Sequence, residues 1–290
     1  MTSAVVIGDI FHDYVSDLSR ANVPVPIDLP TRNADAVAPV LSAPGGAGAQ
    51  FGIASVSVGF SPVTIIGKVG GTSATEVDIE GRSALGAMSS AGLRLALAID
   101  PEVHTGRAMI TYFAGDHRFM ISDPGANATF QPSDLTPAMR DAVATADLLY
   151  VSGYSLVTPA RRVAVRELIG CARAHGVTVA LDLVPHEFEA LVPRGTVDAM
   201  LGSIDWILLA AVTGRRLVGA APTASAEDVL DTLAARIASV AVFEHPSSAT
   251  VISHGTRSSH TFTYVAGAQS RGQSARAHAE LLHGHLTMRS

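Results

Sequence analysis

The chain has 290 residues, of which 48% are hydrophobic and 16% are charged, and its net charge is −6. This composition can bury a large core, and it lacks the basic surface that attracts nucleic acids or anionic membranes. The single cysteine, Cys171, lies in a helical pattern and excludes an intramolecular disulfide, so we expect a buried thiol and a cytoplasmic protein. The amino terminus lacks the basic start and long apolar run of a signal peptide, and no apolar stretch predicts a membrane span.

Short apolar runs recur along the chain, with helical patterns between them. The runs predict buried strands at 4–8, 63–67, 147–151, 177–181, 205–209 and 249–253. The helical patterns lie at 46–58, 78–91, 160–174, 187–192, 196–201 and 226–238. This alternation predicts an α/β fold whose central sheet is mostly parallel and covered by helices on both faces.

Two segments interrupt the alternation. Residues 20–44 are rich in proline, valine and polar residues and have no helical period. Residues 105–122 predict two short strands around the turn at 114–116. Together the two segments predict a small β appendage on the α/β body.

The first candidate site directly follows the first strand, in the run GDIFHD that contains Asp9 and Asp13. Carboxylates at the carboxyl edge of a parallel sheet lie where such sheets bind ligands, and they accept hydrogen bonds from the neighbouring hydroxyls of a sugar. Taken alone, these residues are better explained by a helix cap or a solvated loop.

A second candidate is the run PGGAGAQ, from Pro44 to Gln50. Small residues let the backbone approach a ligand closely, and the helix that follows offers free N–H groups. An ordinary glycine-rich turn between a strand and a helix is the alternative, since neither GxGxxG nor a P-loop lysine accompanies the run.

Two later motifs add little chemistry by themselves: DPGAN at 123–127 is typical of a turn, and SGY at 152–154 follows a strand. In their order, however, the four motifs resemble the ribokinase-like (PfkB) family of sugar and nucleoside kinases. That family carries G-D-x-x-x-D, G-G-x-x-x-N before a long helix, a lid hairpin that ends near G-A-N, and often S-G-Y after a strand. The resemblance extends over about the first 180 residues.

The resemblance implies one ribokinase-like domain over residues 1–290, a three-layer α/β/α body with a small β lid. The lid would come from about 14–44 and 104–121, and such lids often pair two subunits in a dimer. The resemblance also implies that Asp13, Gly45 and Gly46 contact sugar hydroxyls. Gln50 stands where the family usually has asparagine, and its extra methylene shifts the amide, which affects the identity or affinity of the sugar.

The second half departs from the family pattern. Of the D-x-N-x-R run after the strand at 177–181, Asp182 remains, while Val184 and His186 replace the other two residues. The N-x-x-E run that organises magnesium and phosphate aligns with Ala210 and Thr213. The T-x-G-x-x-G phosphate loop aligns with 253–258 and keeps one glycine, Gly255.

The largest departure is at the G-A-G-D signature, whose aspartate is the catalytic base of the family. Aligning LLHG at 281–284 with the helix after the signature places Gly272, Gln273, Ser274 and Ala275 there. Alanine cannot accept a proton, so the alignment predicts no catalytic residue. Gly255 and Gly272 would be remnants of a nucleotide site, and the chain ends about 15 residues after Ala275, where active relatives have further segments around the adenine.

Other side chains could supply chemistry. His278, His283 and His285 lie close together but match no zinc spacing, so we predict no metal site and a partly exposed helix end. Asp228 and Asp231 could replace the missing base, although acids on a helical stretch are usually solvated.

Three hypotheses follow. The chain is a pseudoenzyme that retains a pocket for a small sugar or nucleoside, or it is an active kinase that phosphorylates a hydroxymethyl group with ATP and Mg²⁺. The third hypothesis is a frameshift or truncation of an active kinase gene, which the separate loss at Ala210 and Thr213 argues against as the whole explanation.

Overall fold

The computed structural model describes residues 1–18, 38–113, 117–183, 191–245, 247–264 and 271–288. The strands in these ranges are β1 (Ala4–Ile7), β2 (Phe11–Asp17), β3 (Val40–Gly45), β4 (Val63–Gly70), β5 (Arg94–Asp100), β6 (Gly106–Tyr112), β7 (Arg118–Asp123), β8 (Leu148–Ser152), β9 (Thr178–Leu183), β10 (Trp206–Ala210), β11 (Ser239–His245), β12 (Ser248–Ser253) and β13 (Thr256–Thr261).

The α-helices in the same ranges are α1 (Ala47–Val58), α2 (Ile79–Ser90), α3 (Pro137–Ala144), α4 (Pro159–Ala174), α5 (Arg194–Asp198), α6 (Ala211–Val218), α7 (Ala226–Ala234) and α8 (Gln273–Thr287). Several begin where local chemistry satisfies the free N–H groups of the first turn. The side chains of Asp78, Thr136, Thr158 and Ser225 each accept a hydrogen bond from the backbone of the helix that follows.

The large sheet has the strand order β13-β12-β11-β10-β9-β8-β1-β4-β5. From β11 to β5 every neighbouring pair is parallel, and β12 and β13 continue the sheet as antiparallel strands. The carboxyl ends of β1, β8 and β9 therefore lie side by side at one edge, where open α/β sheets bind their ligands.

Alternate side chains of the central strands pack into two separate hydrophobic cores, one on each face of the sheet. In β1, Ala4 and Val6 pack with α1, α2 and α8 on one face, while Val5 and Ile7 pack with α3, α4, α6 and α7 on the other. The predicted α/β fold, with a mostly parallel sheet between two helical layers, is confirmed.

A smaller sheet has the strand order β3-β2-β6-β7. Strand β2 pairs in parallel with β6, whereas β3 and β7 are antiparallel to their neighbours. The predicted β appendage is thus present, although residues 19–37 and the predicted turn at 114–116 lie outside the described ranges. Its first strand, β2, begins at Phe11, inside the GDIFHD motif.

Some element assignments from the sequence are wrong or incomplete. Residues 249–253 form a strand, but it is antiparallel to β11. Strand β11 is not among the predicted strands, because the predicted helix at 226–238 reaches almost to it, whereas α7 ends at Ala234. Strand β5 is not among them either. Of the helix predicted at 187–192, residues 187–190 lie outside the described ranges, and the helix predicted at 196–201 begins earlier, at Arg194.

No helix in the described ranges is both long enough and apolar enough to cross a membrane. Cys171, which the sequence predicts to be buried, lies within α4 and is half-buried.

Candidate active site

The candidate site lies where the smaller sheet meets the carboxyl edge of the large sheet. Asp9 follows β1, Ser152 ends β8, and Asp182 lies beside Ser152 near the end of β9. Strand β2 then leads away from this edge and carries Asp13, which is 5% exposed. Three carboxylates therefore lie within this region, each in different surroundings.

The Asp9 carboxylate forms a buried ion pair. It accepts a hydrogen bond from Nη2 of Arg161, in the first turn of α4, and the same nitrogen lies 3.3 Å from the Ser155 hydroxyl. This pair joins the loop after β1 to α4. Asp9 therefore has a structural partner and contributes to the site through the position of that loop.

Asp13 is paired with an arginine that the sequence analysis does not single out. Its Oδ2 lies 3.2 Å from Nε and 3.1 Å from Nη2 of Arg271, which is 258 residues away along the chain. Burial raises the pKa of Asp13 and outweighs the opposing effect of the Arg271 charge and hydrogen bond. The charged form of this carboxylate is therefore less stable in the folded protein than in water.

Gly45 and Gly46 bring β3 against the two aspartates. A Cβ built on Gly45 would overlap the Asp13 carboxylate, and one built on Gly46 would overlap the backbone carbonyl of Asp9. Gly46 also has a φ of 91°, which L side chains rarely adopt. Both glycines are therefore required by close packing around the aspartates.

Gln50 links the glycine turn to the start of the last helix. Its Nε2 donates a hydrogen bond of 2.7 Å to the carbonyl of Pro44, and its Oε1 would lie 2.6 Å from a Cβ built on Gly272. The structure thus brings together Asp13, Gly45, Gly46, Gln50 and Gly272.

Asn127, from the G-A-N motif, fastens the loop between β1 and β2. Its Oδ1 accepts from the backbone N–H of Ile10 at 2.9 Å, and its Nδ2 donates to the carbonyls of Ile10 and Pro124 at 2.8 and 2.9 Å. This bracket holds Asp9 and Asp13 at the sheet edge. The role of Asn127 is therefore that of a positioning residue.

Asp182 belongs to a buried cluster beneath α8. It accepts a hydrogen bond from the Tyr150 hydroxyl, and Nδ1 of His278 lies 3.3 Å from the same oxygen. Burial, followed by the Asp182 charge, raises the pKa of Tyr150 well above its usual range. The expectation that His278 lies on a partly exposed helix end is wrong: it is 8% exposed, because it shares the inner face of α8 with Leu281 and Leu282.

Tyr154 lies close enough to this group of charges to be affected by them. Burial raises the pKa of its hydroxyl, the charges of Asp9 and Asp182 raise it further, and Arg118 on β7 opposes them. The site therefore extends from the smaller sheet to the carboxyl ends of β8 and β9.

The positions aligned with the phosphate side carry no carboxylate. Ala210 ends β10, Thr213 is buried in α6, and Ala275 in the first turn of α8 packs against the core. Within the described ranges no group of three His, Cys, Asp or Glu side chains could hold a metal ion. Asp228 completes the capping box of α7 with Ser225, and Asp231 pairs with Arg257, so both carboxylates have structural partners.

Gly255 lies in a hairpin of the large sheet. It follows His254 in the two-residue turn between β12 and β13, and both have positive φ, as a type I′ hairpin requires. That hairpin lines a groove with residues of α8 from Glu280 onwards and with Met288, which follows the helix. Glu280 is eight residues beyond Gly272, which corresponds to about 12 Å along a helix.

Comparison with known proteins places this geometry in a family. The model of the pfkB family of carbohydrate kinases matches residues 1–270. No curated protein sequence matches the chain.

Solved structures share the fold at low sequence identity. A "probable sugar kinase protein" from Rhizobium etli CFN 42 aligns with a TM-score of 0.83 at 20% identity, covering 100% of this chain and 89% of its own. The adenosine kinase from Sinorhizobium meliloti gives 0.80 at 20% identity, with coverages of 99% and 88%. Fructokinase with bound ATP from Xylella fastidiosa gives 0.68 at 18% identity, with coverages of 91% and 75%.

The ribokinase-like α/β/α fold and the matched range together establish the relationship: the chain belongs to the pfkB family of carbohydrate kinases.

Proposed function

We propose that this pfkB-family protein binds a sugar-type polyol at Asp13 and the Gly45–Gly46 turn, and that its phosphotransferase activity is absent or strongly impaired. The observation that carries the proposal is the position of α8. Arg271, two residues before this helix, contacts Asp13, so the start of α8 borders the polyol site. In that first turn Ala275 packs against the core, and the turn carries no acidic residue.

The described residues do not fit the ATP and Mg²⁺ that carbohydrate kinases of this family use. Magnesium is bound through carboxylates and phosphate oxygens, and the aligned positions hold Ala210 and Thr213. Asp182, the nearby carboxylate, is occupied by Tyr150 and His278. A general base contributes about 10²–10⁴-fold to a reaction, so an alanine at that position would lower the rate severely.

An active ATP-dependent kinase for a carbohydrate or nucleoside is the second candidate. The family match over residues 1–270 favours it, because most of the fold that positions substrate in active relatives is present. Fold alone does not establish activity, and a side chain other than Ala275 would have to accept the proton.

A coupled kinase assay separates the two candidates. We expect no measurable ATP-dependent phosphorylation of common sugars and nucleosides by the wild-type chain, and some gain in the Ala275→Asp variant. Ser274→Asp is the matched control, because Ser274 is exposed in the same turn and the new charge interacts equally with the helix dipole. Wild-type turnover of about 1 s⁻¹ or more, the low end of typical kcat values, would contradict the pseudoenzyme proposal.

The smaller sheet is proposed to act as the lid of one domain spanning residues 1–290, and to pair with a second copy of the chain. Its outward face is apolar: Tyr14, Met109 and Ile121 are aligned across three neighbouring strands, and Met109 is 64% exposed. Phe119 and Val40 extend the same face. Exposed apolar patches of this kind are typical of protein interfaces.

The low cysteine content suits a cytoplasmic protein.

Analytical ultracentrifugation tests the pairing. We expect a dimer for the wild-type chain and a monomer for the Met109→Lys/Ile121→Lys variant, because each lysine places a charge at the interface. Val163→Lys is the control, since Val163 is an exposed apolar residue on α4, away from the sheet. A wild-type monomer, or a dimer that the double substitution leaves intact, would refute this interface.

A further inference from the structure

Arg271 connects all the parts of the proposed polyol site. Its Nε and Nη2 lie 3.2 and 3.1 Å from Oδ2 of Asp13, and Nη2 also donates to the carbonyl of Pro44. Pro44 immediately precedes the two glycines and also accepts the hydrogen bond from Gln50. The arginine thus touches the aspartate and the glycine turn, and its neighbour Gly272 touches the glutamine.

These contacts leave the Asp13 carboxylate covered. Its side chain is 7% exposed, whereas that of Arg271 is 20% exposed, so the arginine is the more accessible member of the pair. Both arginine nitrogens approach Oδ2, so a polyol hydroxyl that donates to this oxygen competes with the arginine N–H groups. Binding through Oδ2 is therefore an exchange of partners.

Displacing Arg271 from Asp13 leaves both charged groups without their partner. The ligand's hydroxyl groups can donate hydrogen bonds to the Asp13 carboxylate, but they are only weak acceptors for the Arg271 guanidinium. A half-buried charge that loses its counter-ion is strongly disfavoured. A ligand that brings both hydroxyls and an anionic group satisfies both partners, because a guanidinium binds carboxylate or phosphate through paired N–H donors.

Three other arginines near the site pair with acidic side chains, and Arg118 of β7, whose charge acts on Tyr154, is a further basic group there. Arg161 pairs with the buried Asp9, and Arg107 at the start of β6 lies 3.1 Å from Glu80 of α2. Arg276, one turn into α8, pairs with Glu280 four residues on. Arg271 differs from these because its acidic partner, Asp13, is itself the proposed ligand-binding group.

We propose that the ligand of this site is an anionic polyol, carrying a carboxylate or a phosphate, and that Arg271 selects it by binding the anion while the hydroxyls bind Asp13. This inference rests on the proposed polyol function of the site.

Calorimetric titration of the full chain with matched open-chain polyols tests it. Three members of each set, built on glucitol and on ribitol, differ in one end group: the neutral alditol, the aldonate and the alditol phosphate. Acetate and inorganic phosphate serve as anions without hydroxyls. The proteins are the wild type, Arg271→Gln, Arg271→Lys and Asp13→Asn, with Arg276→Gln as the matched control on the outer face of α8.

We expect the wild type to bind an aldonate or an alditol phosphate at least about tenfold more tightly than the corresponding alditol, the range of a hydrogen bond to a charged group. Arg271→Gln should abolish this preference, Arg271→Lys should retain part of it, and Arg276→Gln should leave it unchanged. The end group that is preferred identifies the anion as carboxylate or phosphate.

Two results separate the failure of this inference from that of the proposed function. Asp13-dependent binding of neutral and anionic polyols with equal affinity, or a preference for the anionic polyol that persists in Arg271→Gln, would retain the polyol function and overturn the role of Arg271. Binding of acetate or phosphate as tightly as the polyols, unaffected by Asp13→Asn, would overturn both, as would the failure of every probe to bind. A single cooperative thermal transition of each unliganded variant verifies folding.

Discussion

The amino-terminal and carboxyl-terminal portions of the site differ in how their motif residues are used. In the first portion, Asp9 forms an ion pair with Arg161, and Gly46 packs on the carbonyl of Asp9. The side-chain amide of Asn127 forms hydrogen bonds with the backbone N–H and carbonyl of Ile10. In the second, the positions aligned with the phosphate side hold Ala210, Thr213 and Ala275; Thr213 is buried, and Ala275 packs against the core.

This difference indicates which residues the fold itself requires. Replacing Asp9, Gly46 or Asn127 would break contacts that hold β1, β2 and β3 together, so stability alone can preserve them. The fold does not need a carboxylate at the start of α8, because Ala275 packs against the core there. The absence of carboxylates at the aligned positions of the second portion is therefore compatible with the intact fold.

Asp13 is the exception within the first portion. Its pKa is raised because burial outweighs the attraction of Arg271, so the charged carboxylate does not stabilise the fold efficiently. Poorly stabilised charges in clefts are typical of functional sites. Among the residues that match the family motifs in this portion, Asp13 is the one whose presence is best explained by a ligand.

The largest effect that tests this comparison is expected from Gly46→Ala. The new Cβ would overlap the Asp9 carbonyl at a residue with a φ of 91°, so we expect the free energy of unfolding to fall by about 2–5 kcal/mol. Gly255→Ala is the matched substitution in the second portion, with a φ of 81° and nothing within 4 Å of its Cβ. It should cost only about 1–2 kcal/mol, from backbone strain. Urea denaturation measures both.

Equal losses for the two alanine variants would contradict the comparison, because strain would then account for both. Gly86→Ala controls for the substitution itself. Gly86 lies within α2 with open space around its Cβ, and alanine should stabilise that helix by about 0.5–1 kcal/mol.

A smaller effect is expected in the pH dependence of Arg271→Gln. The folded protein holds the Asp13 proton more tightly than the unfolded chain, since the pKa is raised above its ordinary value of 3.8. This group's contribution to stability is therefore present below that value and is lost as the pH rises through the folded pKa. Removing the arginine raises the pKa further, so between pH 4 and pH 7 the variant should lose on the order of 1 kcal/mol more than the wild type.

Urea denaturation of the wild type, Arg271→Gln and Arg276→Gln across this pH range provides the measurement. Arg276→Gln should follow the wild-type curve, because its partner Glu280 lies on the outer face of α8. Parallel curves for all three proteins would mean that Arg271 does not help Asp13 to ionise.

Much of the first portion could be predicted from local signals. The apolar runs at 4–8 and 63–67 become β1 and β4, and the glycine turn at 44–46 precedes α1 as expected. The strand at 239–245 was missed because its apolar pattern directly follows that of α7, and a short apolar run does not distinguish the end of a helix from the start of a strand.

The sequence by itself determined the α/β class, the family, and the identities of Asp13, Gly45, Gly46 and Gln50 as candidates. These follow from periodicity and from motifs whose residues are near one another in the chain. The tertiary structure decided that Arg271 contacts Asp13 and that His278 is buried against Asp182. Such contacts join residues that are far apart in sequence, and their charges interact only because folding brings α8 to the edge of the sheet. Local sequence patterns do not show which of these distant residues come into contact.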